Sequence, residues 1–152
     1  MSRRDQIRMT AEEIDEFLSG RHTMNVASIN HDGTIHLVAM WYAVLDGVPV
    51  FWTYGRSQKI KNLQRDPRIT ALVEDGEEYS ELRGVELVGR AEIVEDRPDV
   101  LAIGEAVYER YFGPVTDETR PFVELTGAKR VGVRIHVDRT VSWDHRKLDG
   151  AY

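Results

Sequence analysis

Three strand-like runs joined by two tight turns constrain this chain more than any other feature. Thr23 to Asn30 alternates in polarity with a period of two, and His31-Asp32-Gly33 then signals a turn. Thr34 to Leu45 reads as one long strand, Asp46-Gly47 as a hairpin turn, and Val48 to Tyr54 as a third strand. Turns this short admit only antiparallel neighbours, so the three runs form a meander. The second run is apolar on both faces. Ile35, Leu37, Ala39, Trp41, Ala43 and Leu45 share one side, and Val38, Met40, Tyr42 and Val44 the other. A strand with one solvated face would alternate with polar residues. Both sides therefore need cover: one from a barrel core, the other from a flat aromatic ligand, a partner subunit, or both.

The rest of the chain adds strands and a few helices. Thr10 and Glu13 make a capping box ahead of the stripe Ile14, Phe17 and Leu18, which Gly20 ends. Asp66-Pro67 stops a helix that opens at Ser57. Ile69 to Glu74 and Leu82 to Val94 read as strands, the latter bent at Gly84 and Gly89. Arg97-Pro98 starts a helix whose buried face runs from Val100 to Phe112, and Gly113-Pro114 ends it. Thr116 to Lys129 reads as helix or loop, Arg130 to Val141 as a last strand, and Ser142 to Tyr152 as a polar tail holding Trp143. The expectation is a mainly β fold with peripheral helices: a six-stranded antiparallel barrel in a single domain over residues 1–152.

One segment carries chemistry. Arg56 to Arg68 holds five cations and one acid, Asp66, in a chain of formal net charge −6. A helix opening at Ser57 presents unpaired N–H groups and partial positive charge, so Arg56, Lys59 and Lys61 are unfavourable there. An anion in the mouth of the turn removes the conflict. Arg56, Ser57, Lys59, Lys61 and Asn62 are therefore candidate phosphate-clamp residues. The acidic balance argues against a nucleic-acid partner. The longest apolar run, Leu37 to Leu45, is nine residues, too short for a membrane span. Cysteine is absent and the N-terminus has no apolar leader, which suits a cytoplasmic protein. His22, His31, His36, His136 and His145 show no metal-ligand spacing, so no metal site is expected.

Three patterns, in order, resemble the split-β-barrel flavin and deazaflavin oxidoreductases, the superfamily of pyridoxamine 5′-phosphate oxidase. They are Lys59-Ile60-Lys61-Asn62-Leu63-Gln64-Arg65-Asp66-Pro67-Arg68; Tyr79-Ser80-Glu81-Leu82-Arg83-Gly84-Val85 with Gly89-Arg90-Ala91-Glu92; and Val141-Ser142-Trp143-Asp144-His145-Arg146-Lys147-Leu148. The last two are similar to the branch that uses the deazaflavin coenzyme F-420. The resemblance implies an FMN-binding split barrel, a homodimer, and two cofactor sites at the subunit interface. It implies that Lys59 contacts the cofactor phosphate. Val38, Ala39, Met40, Trp41 and Tyr42 would lie along the ring, and Trp52, Thr53 and Tyr54 on the strand leading to the phosphate. Pyridoxamine phosphate oxidases also place basic residues on the second strand. Here no Lys or Arg occurs from Thr34 to Gly55, so the phosphate rests on Arg56 to Lys61 alone.

The implied activity is hydride transfer from reduced F-420 to a small conjugated organic substrate, with FMN as the alternative cofactor. No catalytic side chain is assigned; water or a hydroxyl such as Tyr42 or Tyr54 would supply the proton. A non-enzymatic flavin- or haem-binding protein is the other alternative, with His22 or His145 as the axial ligand of a haem. Arg83 either faces the pocket or, the preferred reading, forms a structural ion pair with Glu81 or Glu86, and Trp143 and Arg146 read as dimer contacts or as groups reaching the partner's site.

Overall fold

The computed structural model describes residues 1–20 and 22–148. Seven strands form one antiparallel sheet: β1 (Met24–Ile29), β2 (Ile35–Met40), β3 (Ala43–Leu45), β4 (Val48–Tyr54), β5 (Arg68–Asp75), β6 (Arg83–Val94) and β7 (Arg130–Asp144). Their order across the sheet is β2-β1-β5-β6-β7-β4-β3. The two edge strands, β2 and β3, are neighbours in the chain, separated by Trp41 and Tyr42 alone. Met40 pairs with Met24 on β1, and Ala43 pairs with Val50 on β4. Within three residues the backbone leaves one edge and joins the other. The sheet is thereby curled into a barrel split between β2 and β3.

That crossing corrects two expectations. The run Thr34 to Leu45 is two strands, because no single strand can belong to both edges, and the strand count rises from six to seven. The ending is also corrected: β7 continues through Ser142 and Trp143 to Asp144, pairing with β6 past a register shift at Val88/Gly89. The hairpin turn is as expected. Asp46 and Gly47 both take positive φ, 53° and 78°, which a two-residue turn matching the strand twist demands.

Helix α1 (Arg3–Gln6) was not legible beforehand; α2 (Ala11–Ser19) carries the expected Thr10–Glu13 capping box. Helix α3 (Gln58–Arg65) closes one end of the barrel with Ile60 and Leu63. Helices α4 (Arg97–Phe112) and α5 (Arg120–Gly127) lie outside it. Two cores result. Met24, Val26, Phe51, Val85, Val133 and Ile135 help fill the barrel. Val100, Ile103 and Val107 of α4 cover Ala43, Val50 and Val94 on its outer side. The outer face of β2 receives no such cover: Ile35 and Leu37 are 60% and 67% exposed. No helix among the described residues is long and apolar enough to cross a membrane.

Candidate functional site

Alternation along β4 divides its side chains between two environments. Phe51 and Thr53 are buried on the barrel side, whereas Trp52 and Tyr54 face outward, where α4 and α5 pack. Trp52 seats between the helices at two glycines. A Cβ on Gly127 would stand 2.8 Å from its ring, and one on Gly104 would overlap it. Beside the indole runs a groove of about 460 Å³. Ala39, Met40 and Trp41, at the end of β2, form one wall; Tyr108, Phe112 and Phe122 form the other. Trp41 stacks on Tyr111 at 4.3 Å and meets the edge of Phe112 at 5.4 Å. Apolar walls with few polar groups suit a planar conjugated ring.

One end of the groove is cationic. Arg130, first residue of β7, lies opposite Tyr54 in the β4–β7 register, its guanidinium 4.4 Å from the Tyr54 ring and 5.4 Å from Trp52. Beyond it a second cavity, about 630 Å³, is lined by Tyr54, Gly55, Arg56 and Lys129. The chain then turns into α3, whose first turn holds no acid. Ser57 occupies the N-cap position without using its hydroxyl as a cap, and its Oγ is buried with no hydrogen-bond partner among the described residues. Lys59 is 8% exposed. Its ammonium donates to Thr53 Oγ1 at 3.0 Å and meets no carboxylate among the described residues. Burial, and secondarily the charge of Arg130, depress its pKa below the ordinary lysine value.

A buried cation without a counter-charge, beside an orphaned hydroxyl, is costly in a bare protein and fits a site that takes an anion. The five cations of the segment divide. Arg65 donates to Ile29 O and to Asn62 Oδ1, and Arg68 pairs with Asp66 at 2.6 Å. Arg65 meets no carboxylate either, but its guanidinium is taken up by its two acceptors; the Arg56 and Lys61 side chains have no partner among the described residues and Lys59 has only the Thr53 hydroxyl, so these three are the ones free to hold a phosphate.

Of the expected site residues, Ala39, Met40, Trp41 and Trp52 come together in the groove, and Tyr54 and Arg56 at its cationic end. Ser57 and the exposed Lys61 follow on the turn and on α3. Val38 is half-buried on the other face of β2 from Ala39, and Thr53 and Lys59 meet on the barrel side of β4. Two residues have a different job from the one expected. Tyr42 is fully buried; its hydroxyl donates to Leu18 O at 2.7 Å, and burial pushes its pKa up to about 12. Its ring belongs to the core, under the Arg110 guanidinium at 4.1 Å, and the phenol has no route to a ligand proton. Asn62 is also fully buried. Its amide nitrogen donates to Ser28 Oγ and Asn30 Oδ1, and its oxygen accepts from Gln58 and Arg65. With its bonding capacity used, it ties α3 to β1.

Other expected residues lie away from this groove. Arg83 pairs with Asp75 at 2.6 Å, not with Glu81 or Glu86. Arg146 pairs with Asp144, and Trp143 is half-buried opposite Gly84 within the sheet. His22 stacks on Phe17 at 4.7 Å, with burial lowering its pKa, and His145 Nδ1 donates to Tyr79 O. Neither histidine lines the groove. Sequence reasoning missed Arg130, Lys129, Tyr108, Phe112 and Phe122. One signal was present: Tyr108 and Phe112, four apart, extend α4's apolar surface beyond the stripe that a single packed face needs.

The family model described as pyridoxamine 5′-phosphate oxidase matches residues 10–144. Among solved structures, a conserved hypothetical protein from Mycobacterium tuberculosis is 49% identical, with a TM-score of 0.94 over 100% of this chain and 95% of that one. An F420 reductase is 26% identical, with a TM-score of 0.66 over 83% of this chain and 94% of its own. A haem storage protein from Vibrio cholerae, 16% identical at a TM-score of 0.68 over 87% of this chain and 94% of its own, shares the fold alone. No curated protein matches.

Proposed function

We propose that this chain, which belongs to the pyridoxamine 5′-phosphate oxidase family, is an oxidoreductase that uses the deazaflavin coenzyme F-420 to reduce a small conjugated organic substrate. One observation carries the reading: Arg56 lines the cavity adjoining an aromatic groove, and the turn that follows it holds a Ser57 hydroxyl with no hydrogen-bond partner and a Lys59 ammonium with no carboxylate among the described residues. The likeness to an F420 reductase supports the choice of coenzyme. Arg56, Ser57, Lys59 and Lys61 would hold the phosphate, while Ala39, Met40, Trp41 and Trp52 would flank the ring. Hydride chemistry is supplied by the deazaflavin when it is bound. The chain's own residues bind, orient and exclude water: the aromatic walls keep the reacting face dry and the cations fix the register. Tyr54, 56% exposed beside Arg130, would be a hydroxyl able to relay a proton.

The protein would act as a homodimer. The exposed apolar face of β2, on an unpaired sheet edge, is the kind of surface a monomer does not leave open. Size measurement by light scattering checks this part.

Titration with F-420, followed by tryptophan quenching, tests the cofactor. Lys59→Ala removes a charge-assisted contact of roughly 1.5–3 kcal/mol and weakens binding correspondingly. Unchanged affinity in that variant removes the clamp from the reading. A flavin spectrum in the purified protein transfers the same site to FMN.

A further inference from the structure

Among the described residues the groove is lined by one charged side chain, Arg130, and the structure constrains it from several directions. Arg130 Nε donates to Thr126 O at 3.0 Å. The Trp52 and Tyr54 rings lie against its guanidinium. Its own carbonyl and that of Gly127 accept from Arg97, at 2.9 and 2.6 Å, so a second arginine clamps the backbone beneath it. Other arginines are neutralised: Arg68, Arg83, Arg90, Arg134 and Arg146 each meet a carboxylate. Arg130 meets none among the described residues, and its two terminal nitrogens make no hydrogen bond to protein there. The charged residues that line the adjoining cavity are cations. Arg56 and Lys129 line the adjoining cavity, and Lys59 is close enough to be depressed by its charge.

A planar fork held in place, partly desolvated by aromatic faces and set beside like charge is prepared for a bidentate anion. The groove it terminates is lined otherwise by uncharged residues, six of them Trp41, Trp52, Tyr108, Phe112, Phe122 and Met40. We infer that Arg130 receives the acidic oxygen group of a planar conjugated molecule seated in this groove. The ligand class is a flat aromatic ring system bearing a carboxylate or a phosphate ester, its ring among the indoles and phenyl rings and its acid on the guanidinium. This extends the cofactor reading, in which either the coenzyme or its substrate brings the acid, but does not require F-420.

Two dyes with one aromatic skeleton test it: 8-anilinonaphthalene-1-sulfonate and the uncharged N-phenyl-1-naphthylamine. Dissociation constants are measured by fluorescence for the wild type, Arg130→Gln and Arg130→Lys. The wild type prefers the sulfonate. Arg130→Gln weakens the sulfonate about 10- to 100-fold and leaves the neutral dye unchanged, which also shows that the variant is folded. Arg130→Lys falls between, keeping charge without the fork. Equal losses for both dyes, or an intact preference for the sulfonate, overturn the inference. The same proteins are titrated with F-420 and with its phosphate-free deazaflavin alcohol. A selective loss for F-420 places the coenzyme's phosphate on Arg130; a loss confined to the sulfonate dye places a substrate acid there. A wild type that takes up neither F-420 nor FMN, yet prefers the sulfonate, defeats the cofactor reading and leaves the Arg130 inference standing.

Discussion

Replacing Gly104 by alanine tests whether the groove wall is built as described. Gly104 lies within α4, where glycine costs helix stability relative to alanine, so the change alone is worth about 0.5–1 kcal/mol in favour of the variant. Packing opposes it. The new Cβ would overlap Cζ3 and Cη2 of Trp52, and even Cε3 would be only 2.6 Å away. Ordinary carbon contacts are about 3.5–4.0 Å, so the indole must retreat by about 1 Å or more. It has little room: Gly127 abuts the same ring from α5, and Arg130 lies against it. Overpacking of this kind costs about 1–3 kcal/mol, more than the helix gains. The expected net is a loss of up to about 2.5 kcal/mol, at about 2–4 °C of melting temperature per kcal/mol for a domain of this size. The indole moves toward the groove and ligand affinity falls with it. Urea unfolding reads the stability, and 19F NMR of 5-fluorotryptophan-labelled protein reads the ring, since the chain has three tryptophans. A variant stabilised by the full helix increment, with its Trp52 resonance unmoved, refutes the wedge.

Two predictions concern protonation. Asp144, 5% exposed, accepts from the Arg146 backbone N–H and guanidinium at 2.7–3.0 Å, and those bonds hold its carboxyl below the usual carboxylate range. A depressed folded pKa stabilises above the unfolded value, roughly 3.9, and the benefit is lost as pH falls through the folded value. Asp144→Asn should therefore cost about 1–2 kcal/mol at neutral pH, the lower end because Arg146 is 55% exposed and screened. The gap from wild type should close as urea titrations move below pH 4; a pH-independent gap would count against the ion pair. Tyr42 is the converse. With its pKa raised to about 12, it has no effect on the pH dependence of stability below about 10, then costs stability as pH rises toward 12. Ultraviolet titration should show one of the six tyrosines ionising late, and Tyr42→Phe should abolish that late step.

Much of the fold was legible because it is written in local patterns. Polarity alternation located the strands, Asp46-Gly47 located the hairpin, and the Thr10–Glu13 box located α2. The break at Trp41-Tyr42 was not legible, because both residues continue an unbroken apolar run. Only barrel closure makes Met40 and Ala43 belong to different edges. The tail was misread for a related reason: Ser142 and Asp144 look solvated in sequence, yet β6 pairs with them. The cationic turn stood out as a charge run, but not its division of labour. Arg65 and Arg68 look equivalent to Lys59 in sequence, yet they lie exposed on their own acceptors while Lys59 is buried against the Thr53 hydroxyl with no carboxylate among the described residues.

The order of residues alone determined a mainly β meander, a helix opening on an uncompensated cationic turn, and membership of the pyridoxamine 5′-phosphate oxidase family, because each depends on neighbours a few positions apart. Tertiary structure alone decided which face each side chain serves. Arg130 is more than 70 residues from Trp52 in sequence, and Phe112 is more than 70 from Trp41. They share a groove because the sheet pairs β4 with β7 and two helices pack over that seam. Long-range pairing leaves no local signature, so a groove assembled from five separate elements could be located only once the chain was folded.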